Sequence, residues 1–181
     1  MIEIIRRNKA GKWSNIAGIL ALIWMCVIFA FSAQTKEESS VVSEGFSYRI
    51  VSTTGLFFHL NLDEEQLHEI AAAIEFFVRK AAHMTEFAIL AVLLYVWFAR
   101  WEMARVRRGC LAAFLTMLYA CSDEFHQLFV AGRSGRISDV LIDSAGAVLG
   151  MAAFMLAESI VSALCRRRRA RKAARNDGNL K

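Results

Sequence analysis

Apolar residues run almost unbroken from Ile16 to Phe31, from Ala81 to Ala99, from Leu111 to Phe129 and from Val140 to Leu164. Each run comes near the ~20 residues that carry a helix across a ~30 Å hydrocarbon core. The pattern predicts four transmembrane helices. Between the first two runs the periodicity changes. Thr35 with Glu38 reads as a capping box, and Phe46, Ile50 and Phe57 recur after it at helical spacing, interrupted by Gly55. Asn61 with Glu64 opens a second segment, in which Leu67, Ile70, Ile74, Phe77 and Val78 make one apolar stripe. Asp63, Glu64, Glu65 and Glu69 sit in its first turns, where acids suit the helix dipole. Two amphipathic helices are expected here, lying on the outer face or capping the bundle, as a structural cap or as a lid or substrate-docking surface.

The predicted fold is therefore an all-α integral membrane four-helix bundle, with two extracytoplasmic amphipathic helices between spans one and two. Composition agrees: 56% of the residues are hydrophobic, mean hydropathy is +0.38, and there is no proline. One transmembrane domain over residues 1–165 is expected, followed by a basic tail over 166–181 expected to be disordered. The charges assign the sides. Of the 22 Lys and Arg residues, 16 precede span one, lie between spans two and three, or follow span four, with four acids beside them. The opposite side holds six basic and 13 acidic residues. The positive-inside rule then places both termini in the cytoplasm. The basic residues flank apolar runs instead of forming an aromatic-interleaved stripe, so nucleic acid is not an expected partner; the lipid bilayer is. The first apolar run is long for a signal peptide and is expected to be an uncleaved anchor. Cys26, Cys110, Cys121 and Cys165 all fall in spans or at their ends, which speaks against a disulfide framework.

The polar residues inside the spans change the picture most. A charged side chain within the bilayer costs about 2.5–3.5 kcal/mol. Counting helical rise from the cytoplasmic boundary places Glu86, Asp123 and Asp143 at about the same height, ~21–22 Å up. Lys80 and His83 precede Glu86 at intervals of three, on one helix face. Glu124 and Gln127 accompany Asp123, and Asp139 stands one turn from Asp143. Ser32 and Gln34 end span one. These groups are expected to face each other in an outer-leaflet polar site, with Lys80, Arg133, Arg136 and His83 compensating the carboxylates. The loop Gly132-Arg133-Ser134-Gly135-Arg136 could hold an anion through backbone N–H groups and guanidinium forks, or be a plain turn. Gly146 and Gly150 form a GxxxG pattern, a sign of close helix contact. His126 follows the acidic pair but points about 100° away per residue. His83, Glu86, Asp123 and Glu124 include suitable metal ligands, but HxxE spacing alone is a weak pattern, and neither a metal nor another cofactor is expected. No HExxH, GxSxG or P-loop pattern occurs.

Three blocks, "FSAQ" (31–34), "KAAHMTEFAIL" (80–90) and "DEFHQLFVAGRSGRISDVLIDSAG" (123–146), resemble the VanZ-like family of small bacterial membrane proteins. The matching positions are Ser32, Gln34, Lys80, His83, Asp123, Glu124, Gln127, Arg133, Asp139 and Gly146. Ala131, Asp143 and Phe87 stand where members often carry Pro, Asn and Tyr, so loop shape and site charge are this chain's own. The resemblance implies a bacterial cytoplasmic membrane protein associated with the cell envelope and with low-level resistance to the lipoglycopeptide teicoplanin.

The chemistry then allows three classes of function. A binder would use Lys80, Gln127, Arg133, Asp139, Asp143, Ser32, Gln34 and Glu86 to engage a lipid-linked or anionic amphiphile, a lipoglycopeptide included. An enzyme would add Glu124 or Asp123 with His83 as an acid/base pair. A proton-coupled transporter is the third class, and four spans would have to form an oligomer to enclose a pathway. The topology is directly testable: in a cysteine-free background, Ser52→Cys should react with an impermeant maleimide on intact cells, whereas Arg107→Cys should react only after lysis. Equal protection of both would contradict the assigned orientation.

Overall fold

The computed structural model describes residues 2–178, with side chains described over 11–171. It is all-α: among the described residues there are five long helices and no strand, α1 (Ile2–Ser32), α2 (Lys36–Phe57), α3 (Glu64–Trp97), α4 (Arg105–Gln127) and α5 (Ile137–Gly178). A 3-10 turn, Phe98–Trp101, follows α3. Three stretches are long and apolar enough to cross a membrane: Gly11–Ser32, Glu64–Trp101 and Ile137–Arg171. That marks a membrane protein. At 23 residues, α4 has the length of a span, but Asp123 and Glu124 at one end and three arginines at the other dilute its apolarity.

The capping box of Thr35 and Glu38 forms as predicted and starts α2. The helix passes through Gly55 and ends at Phe57. The next start differs from expectation. Asp63, not Asn61, caps α3, and Gln66 completes the box. The expected second amphipathic helix is also not a separate element. With no Gly or Pro between Glu64 and Trp97, nothing breaks the backbone, and the amphipathic segment runs straight into span two as one helix of 34 residues. Arg166–Arg171 continue α5 as helix, which reaches Gly178, because Ala, Arg and Lys are strong helix formers and glycine is a weak one.

Helix α3 stands at the centre and touches every other helix. Its Phe87, Leu90, Leu94 and Tyr95 fill the core against Ala21, Ala112, Ala120 and Ala147 from the surrounding helices. Large residues on the central helix meet small ones on its neighbours, which brings the backbones close. The pairing direction follows from the hydrogen bonds. Ser14 Oγ donates to Val96 O and Trp24 Nε1 to Glu86 O, so α1 runs antiparallel to α3. Tyr119 OH donates to Met25 O at 2.6 Å, and Arg108 stacks on Tyr95, so α4 runs along α1's direction. Helix α5 runs parallel to α3, with Gly146 against Met84 and Gly150 against Ala88. At the tail end, Glu158 accepts from Tyr95 OH (3.0 Å) and Arg105 (2.8 Å), clasping α3, α4 and α5.

The GxxxG pattern thus finds its partner in α3. A Cβ placed on Gly146 would lie 2.4 Å from the Met84 carbonyl oxygen, a backbone atom that cannot swing away. Gly146→Ala should therefore cost about 1–3 kcal/mol through overpacking and lower the detergent-solubilised unfolding midpoint. At Gly45, where a Cβ meets nothing within 4 Å, the same change should be neutral or stabilising. Equal effects at the two sites would contradict the close α3–α5 approach.

Candidate functional site

At the end where α1 finishes, α3, the last turn of α4, the 128–136 loop and the first turns of α5 surround a cavity of about 310 Å³. Seven of the eleven residues singled out in the sequence line it: Lys80, His83, Glu124, Gln127, Arg133, Asp139 and Asp143. Lys36, Glu75, Phe76, Arg79, Gly132, Ser134 and Arg136 complete the wall. A second cavity of about 200 Å³ lies between the end of α1, α2 and α3. Gln34 and Glu86 line that one, with Phe31, Val42, Phe46 and Val78 supplying an apolar wall. His83, Arg79 and Arg133 border both cavities. Ser32 and Asp123 line neither cavity; both are buried behind them.

Each polar residue is held by a particular element. The i, i+3, i+6 spacing of Lys80, His83 and Glu86 puts all three on one side of α3. Lys80 Nζ pairs with Asp139 Oδ2 at 2.7 Å, joining α3 to the first turn of α5. Glu124 accepts the backbone N–H of Arg136 at 2.9 Å. That N–H immediately precedes α5, so a carboxylate from the end of α4 satisfies a donor at the helix start. The loop does hold an anion through its backbone, and the anion is the protein's own Glu124. Gly135 makes this possible: a Cβ there would lie 2.4 Å from the Glu124 carbonyl oxygen. Gly132, with φ +72°, supplies the left-handed step of the same turn.

Arg133 does not pair with a carboxylate as expected. Its guanidinium donates to Phe31 O (3.3 Å) in the last turn of α1 and to Gln34 O (3.0 Å) just beyond the helix. A cation placed there suits the negative end of the helix dipole. Asp123 takes a hydrogen bond from Gln127 Nε2 at 3.1 Å. Its Oδ1 and the nearby Ser32 Oγ are buried without a hydrogen bond of normal geometry among the described residues. His126 turns away and stacks on Phe29 of α1, with ring centroids 4.5 Å apart.

What remains free defines what the cavity can do. Lys36 and Arg136 line it with no ion pair among the described residues. Asp143, 2% exposed, also has no hydrogen-bond or ion-pair partner there. His83 Nδ1 is buried, and its nearest carboxylate oxygen, Glu86 Oε2, is 3.7 Å away, beyond hydrogen-bond reach. Uncommitted cations can take an anionic group, and Asp143 and His83, which both line the cavity, are each able to carry a proton. The expected pair of Glu124 or Asp123 with His83 is less suited: Glu124 is occupied by the loop and Asp123 lies outside the cavity. No group of three or more His, Cys, Asp or Glu side chains among the described residues is arranged to hold a metal ion.

Sequence reasoning missed Glu75, Arg79 and Lys36. Glu75 and Arg79 form an i,i+4 ion pair, further tied to α2 through Ser43 Oγ, which donates to Glu75 at 2.6 Å. The spacing of that pair was visible, whereas its turn toward the cavity depends on where α2 packs. A family model described as VanZ/LLP1 matches residues 17–158, a span that includes every element of both cavities. No curated protein and no solved structure matches the chain.

The role of Glu124 can be separated from any chemistry. Glu124→Ala removes the acceptor for the Arg136 N–H and should lower stability by about 1–2 kcal/mol. Glu124→Gln keeps an amide oxygen in place and should lose less than half of that. Chemical denaturation in detergent reads both variants, and identical losses would contradict the capping role.

Proposed function

The chain belongs to the VanZ/LLP1 family, and from that premise we propose that it is an envelope protein of the bacterial cytoplasmic membrane whose outer-leaflet site engages a lipid-linked or anionic amphiphile. In this reading α1, α3, α4 and α5 are the four spans, both termini are cytoplasmic, and the paired cavities open to the outside. The observation that carries the proposal is the union of two unlike cavities at one wall. The larger holds the Lys36 and Arg136 side chains, which make no ion pair among the described residues, as an anionic headgroup requires. The smaller is lined by Phe31, Val42, Phe46 and Val78, as an apolar chain requires. His83, Arg79 and Arg133 line both, so the two lie side by side, and the proposal puts the headgroup in one and the chain in the other.

A second reading, an enzyme acting on such a lipid by acid/base catalysis, rests on the unpartnered Asp143 and His83 in the larger cavity. A role in glycopeptide resistance belongs to the same proposal, because teicoplanin carries a lipid tail and an ionic core.

In lipid nanodiscs, a farnesyl or geranylgeranyl phosphate should bind at least about tenfold tighter than the corresponding alcohol. Arg136→Ala and Lys36→Ala should each erode that preference without changing affinity for the alcohol. Equal binding of phosphate and alcohol would contradict the proposal. Asp143→Asn should leave binding intact; loss of the envelope phenotype with retained binding would favour the enzyme, and retention of both the binder.

A further inference from the structure

Helix α2 and the first half of α3 form an antiparallel hairpin. Their interface is made of small or slender residues, Ser43, Ser47, Val51, Gly55 and Ala71, and Ser43 and Tyr48 of α2 bond to Glu75 and Glu64 of α3. The largest apolar side chains at its tip are excluded from that interface. Leu56, Phe57, Phe58 and Leu60 are 78%, 77%, 64% and 55% exposed. Immediately beside them, residues 56–69 carry four carboxylates and no Lys or Arg. Two of the four are committed, Asp63 to the helix cap and Glu64 to Tyr48. Glu65 and Glu69 are exposed, make no bond among the described residues, and sit one turn apart on one face of α3.

We infer that this tip is a docking knob for a cationic amphipathic segment of an extracytoplasmic partner, whose apolar face covers Phe57 and Phe58 and whose Lys or Arg residues meet Glu65 and Glu69. The inference rests on the orientation proposed above. Exposed apolar side chains grouped in this way mark an interaction surface, and the acidic rim selects the sign of the partner. The bilayer is a poor occupant. Helix α3 is a single helix of 34 residues, about 51 Å long, and even at a 40° tilt it outreaches a ~30 Å core, lifting the tip clear. The acidic rim also repels anionic headgroups. A second copy of the tip is disfavoured for the same reason, since four carboxylates would face four.

The test uses the full chain in zwitterionic phosphatidylcholine nanodiscs and a 14-residue helical Leu/Lys peptide, with its Leu/Glu counterpart as control and binding to empty nanodiscs subtracted. The Leu/Lys peptide should bind and the Leu/Glu peptide should not. Glu65→Gln/Glu69→Gln should weaken binding roughly fivefold, as two exposed pairs allow, and Phe57→Ser/Phe58→Ser should abolish it. These positions are exposed, so both variants should elute and unfold like the parent. Binding unchanged in both variants would overturn the inference. So would a nitroxide at position 57 that reports headgroup depth in peptide-free discs, or a dimer that only the Phe57→Ser/Phe58→Ser change dissolves. Both disc faces are open, so peptide binding is independent of orientation. A tip cysteine protected from impermeant label on intact cells would instead overturn the orientation, and the extracytoplasmic partner with it.

Discussion

The hydrogen bond from the Arg136 N–H to the Glu124 carboxylate is the constraint on which the candidate site depends. It joins the end of α4 to the start of α5 across the loop of residues 128–136. Buried at that junction, a carboxylate is costly unless bonded, and a helix start needs acceptors; each deficiency satisfies the other. With α5 held there, Asp139 reaches Lys80 and Asp143 faces the cavity. Arg133, carried by the same loop, then closes the end of α1 through the Phe31 and Gln34 carbonyls. Three helix ends are thus fixed by groups within one short segment, and the cavity is the space they leave.

This division of labour separates charges that build the site from charges that remain available to a ligand. Glu124, Arg133, Lys80, Asp139, Glu75 and Arg79 are committed to one another or to the backbone. Lys36, Arg136, Asp143 and His83 are not. A membrane protein that needed only a polar spacer would have little reason to keep uncommitted cations and an unpaired acid around one cavity. The smaller cavity beside them adds an apolar wall, which gives that arrangement an amphiphilic character.

Much of the architecture was legible in the sequence. Helical periodicity located the apolar segments, the Thr35–Glu38 box located the start of α2, and Gly146 and Gly150 announced a close helix contact. The partner in that contact was not legible, because a GxxxG face says only that some backbone comes near. The start of α3 was placed at Asn61 by its Glu three residues on; Asp63 has a Gln at the same spacing, and it is Asp63 that caps the helix. For the site, counting helical rise brought Glu86, Asp123 and Asp143 to one level, but not their rotation about each axis. That rotation decides that Asp143 faces the larger cavity, Glu86 the smaller, and Asp123 neither. Arg133 was assigned to carboxylates by charge alone; that it caps α1 depends on a contact between residues about a hundred positions apart, which no local pattern encodes.

The central claim is that one amphiphile occupies both cavities through the wall of His83 and Arg133. A structure of the protein in lipid with an isoprenyl phosphate bound tests it most directly. The account predicts the phosphate between Arg136 and Lys36 and the chain running along Phe31, Val42 and Phe46. A phosphate outside the larger cavity, or a chain leaving along the α3–α5 groove beside Gly146, would contradict it.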